Sequence, residues 1–70
     1  MKAEVTANLK GGTPDAYRID QKGELFWIPR SQISYRRSEA ATIEAPYPKS
    51  VFHLPIWLAE KKGLDYEEVS

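Results

Sequence analysis

Residues 16–28 read AYRIDQKGELFWI, two alternating segments that meet at a glycine-bearing turn, and this pattern commits the chain to an antiparallel sheet. Residues 16–19 and 24–28 are the strands. The turn is expected at Asp20-Gln21-Lys22-Gly23, with Gly23 in the left-handed position of a bulged hairpin. Setting Asp20 opposite Glu24 puts Ile19 opposite Leu25, Arg18 opposite Phe26 and Tyr17 opposite Trp27, and directly opposed residues share a face. Tyr17, Ile19, Leu25 and Trp27 are then the expected core side. The second face, with Arg18, Phe26 and Ile28, is too apolar to stand bare, so a helix, another strand or a partner must cover it.

The rest of the chain supplies matching pieces. Val5, Ala7 and Leu9 alternate with polar residues as a half-buried first strand, and the GGTPD loop at 11–15 breaks it. Pro29 ends the third strand, and Arg30-Ser31-Gln32 is a tight turn before alternation resumes at Ile33 and Tyr35. A strand is expected at 42–45, joined to the preceding one by a hairpin tip that carries Arg36, Arg37 and Glu39. Pro46-Tyr47-Pro48 forces extended backbone, and residues 51–54 complete the sheet. Pro55 suits the first turn of a helix running to Lys62, capped by Gly63 with Leu64 folding back. Trp57 and Leu58 are expected to cap the core, and residues 65–70 to form a frayed tail.

These elements define a single domain over residues 1–70, mainly β, a small antiparallel meander or incomplete barrel of about five or six strands with one short C-terminal α-helix. A chain of 70 residues has a modest core and, lacking cysteine, no disulfide to support it. Two Trp, four Tyr and two Phe supply much of the apolar mass. The longest apolar run, residues 25–28, falls far short of the roughly 20 residues that cross a bilayer. No membrane association is expected. Lys2 is not followed by an apolar stretch of signal-peptide length, and the expected location is the cytoplasm.

Chemistry-bearing patterns are few. His53 is the single histidine, and Ser31 with Asp15, Asp20 or Asp65 offers a triad only on paper, outside any nucleophile-elbow context. Glycines 11, 12 and 23 do not form a phosphate-cradling loop. The expectation is a non-enzymatic protein without cofactor or metal.

Ten basic and ten acidic residues cancel, which disfavours a generic polyanion binder. Their distribution is uneven: residues 1–37 hold seven Lys/Arg against four Asp/Glu, and residues 38–70 hold three against six. Phe26, Ile28, Arg36, Arg37 and Tyr47 are the candidate protein-binding residues, because aromatic and arginine side chains dominate interface energetics. The alternative is single-stranded nucleic-acid binding by Arg30, Tyr35, Arg36, Arg37, Tyr47 and Lys49, with bases stacked on rings and arginines on phosphates. Homodimerisation through an edge strand fits either.

WIPRSQI at 27–33 and LPIWLAEKKGL at 54–64 resemble small phage- and prophage-associated proteins that carry a WIPKSQI-like strand and a PxWLAxKKG-like helix. The resemblance covers about half the chain. Arg30 stands where lysine is usual, and the segment from Ser34 to His53 departs from a shorter acidic spacer. What the resemblance implies is a setting among mobile genetic elements, in which small proteins without catalytic motifs occlude a host or phage protein, host-defence machinery included.

Overall fold

A computed structural model describes residues 1–44 and 46–70. Six strands, β1 (Lys2–Gly12), β2 (Ala16–Gln21), β3 (Glu24–Pro29), β4 (Tyr35–Ser38), β5 (Lys49–Leu54) and β6 (Glu67–Val69), form one antiparallel sheet, with a 3₁₀ turn at Arg30–Gln32 and helix α1 at Ile56–Lys62. The spatial order is β3-β2-β1-β5-β4, and β6 also pairs with β1. The sheet does not close.

β1 organises the molecule. Its 11 residues, at about 3.3 Å each, run nearly the full 35 Å length of the domain. One edge is taken by β5, from Ala3↔Leu54 to Asn8↔Lys49. The other edge is shared, with β6 along Lys2–Glu4 and β2 along Asn8–Gly12. A bulge at Lys10 shifts the β1–β2 register between Leu9 and Gly11, and Gly11 takes the positive φ of 145° there.

The hairpin differs from expectation by one residue. Lys22 (φ 54°) and Gly23 (φ 81°) both adopt left-handed backbone, so the loop has two residues and Gln21 faces Glu24. Two left-handed residues in succession give the turn whose twist matches the flanking strands. A one-residue slip exchanges the faces of β3. Tyr17 now opposes Ile28 and Ile19 opposes Phe26, and these four point to the core, while Leu25 and Trp27 point away. Ile28 is fully buried, whereas Leu25 and Trp27 are 58% and 47% exposed.

The core lies on one side of the sheet. Ala3, Val5 and Ala7 from β1, Phe52 and Leu54 from β5, and Ile19 and Ile28 meet Leu58 and Ala59 of α1 and Leu64 beyond it. The alanines on β1 and Ala59 are small, which permits close approach of α1 to β1. Pro55 precedes the helix in extended conformation, one position earlier than expected. In so short a helix the inward stripe is narrow, and Trp57 lies outside it at 57% exposure, contrary to its expected place over the core.

The helix ends as anticipated. Gly63 is left-handed (φ 74°), the Leu64 N–H donates to the Ala59 carbonyl at 2.9 Å and the Gly63 N–H to that of Glu60 at 3.1 Å, and Leu64 is buried. The segment after it is not frayed. β6 pairs with the start of β1, and the Gln21 side chain fastens its entry: Nε2 donates to the Asp65 carbonyl at 2.9 Å and the Thr6 carbonyl at 3.2 Å, and Oε1 accepts from the Asp65 N–H at 2.8 Å.

Residues 42–44 are not a strand, and Ala45 lies outside the described residues. β4 pairs directly with β5, with Glu39 N–H donating to the Lys49 carbonyl at 3.0 Å, so the ladder has no place for a further strand. Arg36 and Arg37 belong to β4 rather than to the hairpin tip.

Candidate functional site

The register assigns every strand residue to one of two faces. Opposite the core, the sheet presents a face on which no helix packs among the described residues. Three cross-strand rows line it along β1, and Leu25 and Trp27, opposite Asp20 and Arg18, stand on the same face at the β3 edge. The first runs Glu67, Glu4, His53, Tyr35; the second Thr6, Val51, Arg37; the third Asp20, Asn8, Lys49.

The first row is a connected set. His53 Nε2 lies 2.9 Å from Glu4 Oε2, and the Tyr35 ring packs on the imidazole with centroids 4.8 Å apart and planes inclined by 39°. Tyr35 remains 44% exposed. His53 is thus tied to Glu4, not to Asp15, Asp20 or Asp65, and the Ser34 hydroxyl meets the His53 backbone carbonyl at 3.4 Å rather than its ring. The cross-strand pairing brings Glu4 to His53 across 49 positions of sequence, a partner that no local motif announces.

Two concavities interrupt this face. One of about 240 Å³ is lined by Arg37, Ser38, Glu39, Lys49 and Val51. A larger one of about 490 Å³ opens where β2 and β6 diverge along β1, with Glu4, Asp20, Asp65 and Glu67 among its walls. One Asp20 oxygen, Oδ1, is buried there without a hydrogen-bond partner among the described residues, while Oδ2 faces Lys10 Nζ at 3.9 Å. Lys22 pairs with Asp65 at the rim. That hydrogen bond and the carboxylate charge hold the Lys22 pKa above its ordinary value. The Tyr66 hydroxyl is also raised, by desolvation first and then by the charges of Glu60 and Glu68. No group of three or more His, Asp or Glu among the described residues is arranged to hold a metal.

The expected site residues scatter. Ile28 is fully buried in the core, and Phe26 packs against it half-buried on the core side of the sheet. Arg37 and Lys49 stand on the uncovered face, joined by Tyr35. Tyr47 is 50% exposed, with Lys10 Nζ 3.8 Å from its ring centroid. Arg36 points to the core side, opposite Phe52, and Arg30 joins it there over Tyr17. Leu25, Trp27 and Trp57 are exposed apolar residues that the sequence reading assigned to the core or left aside.

Ion pairing divides the cations. Lys10 and Lys22 have carboxylate partners, whereas none of Arg18, Arg30, Arg36 and Arg37 has one within 4.0 Å among the described residues. Comparison with family models, with curated proteins and with solved structures returns no match for this chain.

Proposed function

We propose that this chain is a non-catalytic binding module that engages a protein through the uncovered sheet face, around Tyr35, Arg37, Val51 and Lys49. The observation that carries this reading is the asymmetry of the sheet: one face holds the whole core, and the other presents an exposed aromatic ring and an unpaired arginine with no cover. Glu4, Glu67 and Asp20 share that face with Arg37 and Lys49. Mixed signs suit a protein surface of complementary pattern better than a uniform polyanion. The resemblance to phage-associated proteins supports a host or phage protein as the partner class, with inhibition of host-defence machinery as the outcome.

The test is capture by immobilised protein, with a Tyr35→Ala/Arg37→Glu variant of unchanged circular dichroism as the paired bait. A protein retained by the native face and lost with the variant, then reproduced with purified components, is the expected result. Equal retention by both baits overturns the assignment of this face.

Single-stranded nucleic-acid binding is the second reading, favoured by the unpaired arginines beside Tyr35, Tyr47 and Lys49. It requires affinity that falls steeply as salt rises. Fluorescence anisotropy at two salt concentrations decides it, and absent or salt-insensitive binding removes it.

A further inference from the structure

The arginines on the core side form a separate arrangement that the protein-binding reading does not use. Tyr17, half-buried on β2, packs one side of its ring toward Phe52, with centroids 5.9 Å apart. The guanidinium carbon of Arg30, from the turn after β3, lies 4.1 Å from the same ring's centroid, and that of Arg36, from β4, lies 5.2 Å away. β3 and β4 are the two outermost strands, so the curl of the open sheet is what brings these groups together. The local backbone is closely fitted: a Cβ on Gly12 would meet the Ala16 carbonyl oxygen at 2.6 Å and Arg30 Nη2 at 3.4 Å. Arg30 is further fixed by its N–H, which donates to the Asp15 carbonyl at 2.8 Å.

Two cations over one ring repel each other, and an anion seated beside them relieves that repulsion. No carboxylate comes within 4.0 Å of either guanidinium among the described residues, and the Arg36 side chain has only a long contact, 3.5 Å, to the Ser38 hydroxyl. Each fork therefore keeps most of its five donors for something else. Both guanidinium carbons lie within 5.2 Å of one ring centroid, so one anion beside them can accept from both forks. A phosphate, with a charge of about −1.5 to −2 near neutral pH against −1 on a carboxylate, gains more from two adjacent cations.

We infer that Arg30 and Arg36, held over Tyr17, form a binding site for a phosphate group. The site lies on the opposite side of the sheet from the proposed protein-binding face and stands independently of that proposal. The phosphate arrives free or as an ester on a nucleotide.

The experiment is a ¹H–¹⁵N NMR titration of the intact chain with inorganic phosphate, AMP, adenosine and acetate at constant ionic strength, following the Arg side-chain Nε–H and Tyr17 backbone signals. Saturable shifts confined to Arg30, Arg36, Tyr17 and their neighbours with phosphate or AMP, and none with adenosine or acetate, are expected. Tighter binding of AMP identifies an ester as the ligand; tighter binding of inorganic phosphate identifies the free ion. Arg30→Gln and Arg36→Gln should each weaken binding about tenfold or more, the ratio that one hydrogen bond to a charged group carries, while Lys61→Gln, on helix α1, leaves it unchanged. Absent saturation with phosphate and AMP, equal shifts with acetate, or affinity indifferent to Arg30→Gln and Arg36→Gln overturns the inference. The native-chain titration decides even where a variant fails to fold.

Discussion

At the scale of single residues, the parity of one strand decides what the surface is. The alternation of residues 24–28 is plain in the sequence, but which half of it faces inward depends on whether the preceding loop has two residues or three. Lys22 in left-handed backbone settles this, and nothing in a lysine announces it. The correction is measurable. Ile28→Ala should cost about 2–5 kcal/mol, the range for truncating a buried large aliphatic side chain, because Ile28 has no exposed surface. Against a total of roughly 4–10 kcal/mol for a chain of this size, that is close to unfolding. Trp27→Ala, a larger truncation by volume, should cost under about 1 kcal/mol because its ring already meets solvent. Urea denaturation of the two variants distinguishes the registers; the reverse ranking restores the three-residue loop. Lys22 makes a second prediction. Its folded pKa is raised by Asp65, so the stabilisation is present below the ordinary value of 10.5 and is lost as pH rises through the folded pKa. The Lys22 Nζ signal should titrate above 10.5, and Asp65→Asn should return it toward that value; coincident titration in both proteins would refute the pairing.

Elements were legible where their signals are local. Helix α1 and its glycine stop follow from a proline, an apolar stripe and a left-handed cap within ten residues of one another. β6 was not legible, since DYEEVS carries little apolar content and reads as a tail. Its order comes from elsewhere: Leu64 anchors the chain in the core, and the Gln21 side chain ties β2 to the entry of β6 with two hydrogen bonds to Asp65 and to β1 with a third to Thr6. Residues 42–44 of the strand expected at 42–45 are not strand for the complementary reason, because β5 already has β1 on one edge and β4 on the other. Gln21→Ala should therefore act at a distance. A loss of about 1–2 kcal/mol is expected, with faster amide exchange at 67–69 and at 2–4 while the β1–β5 ladder keeps its protection. Unchanged exchange at 67–69 would mean that β6 is held by its β1 ladder alone.

On the scale of the whole molecule, the decisive contacts join the two ends of the chain. Glu4 opposes His53 and Lys2 opposes Val69, so β1 pairs with strands that lie most of the sequence away. Such pairings have no signature in any window of sequence, which is why the Glu4–His53–Tyr35 row and the Arg30–Tyr17–Arg36 cluster emerge only from the fold. They also predict slow folding, in the millisecond-to-second range typical of small sheets dominated by non-local pairs. Joining the ends covalently tests the topology directly. A circular permutant with a short Gly/Ser bridge from Ser70 to Met1, opened between the exposed residues Ala40 and Ala41, turns β6 and β1 into a local hairpin and cuts no ladder. It should keep the native amide spectrum and fold faster than the parent, because one of the longest loops to be closed has become one of the shortest. A permutant opened between Lys22 and Gly23 breaks the two-residue turn that fixes the parity of β3, and is expected to lose stability. If the first permutant unfolds while the second keeps its sheet, the β1–β6 pairing is not the closure that completes this fold.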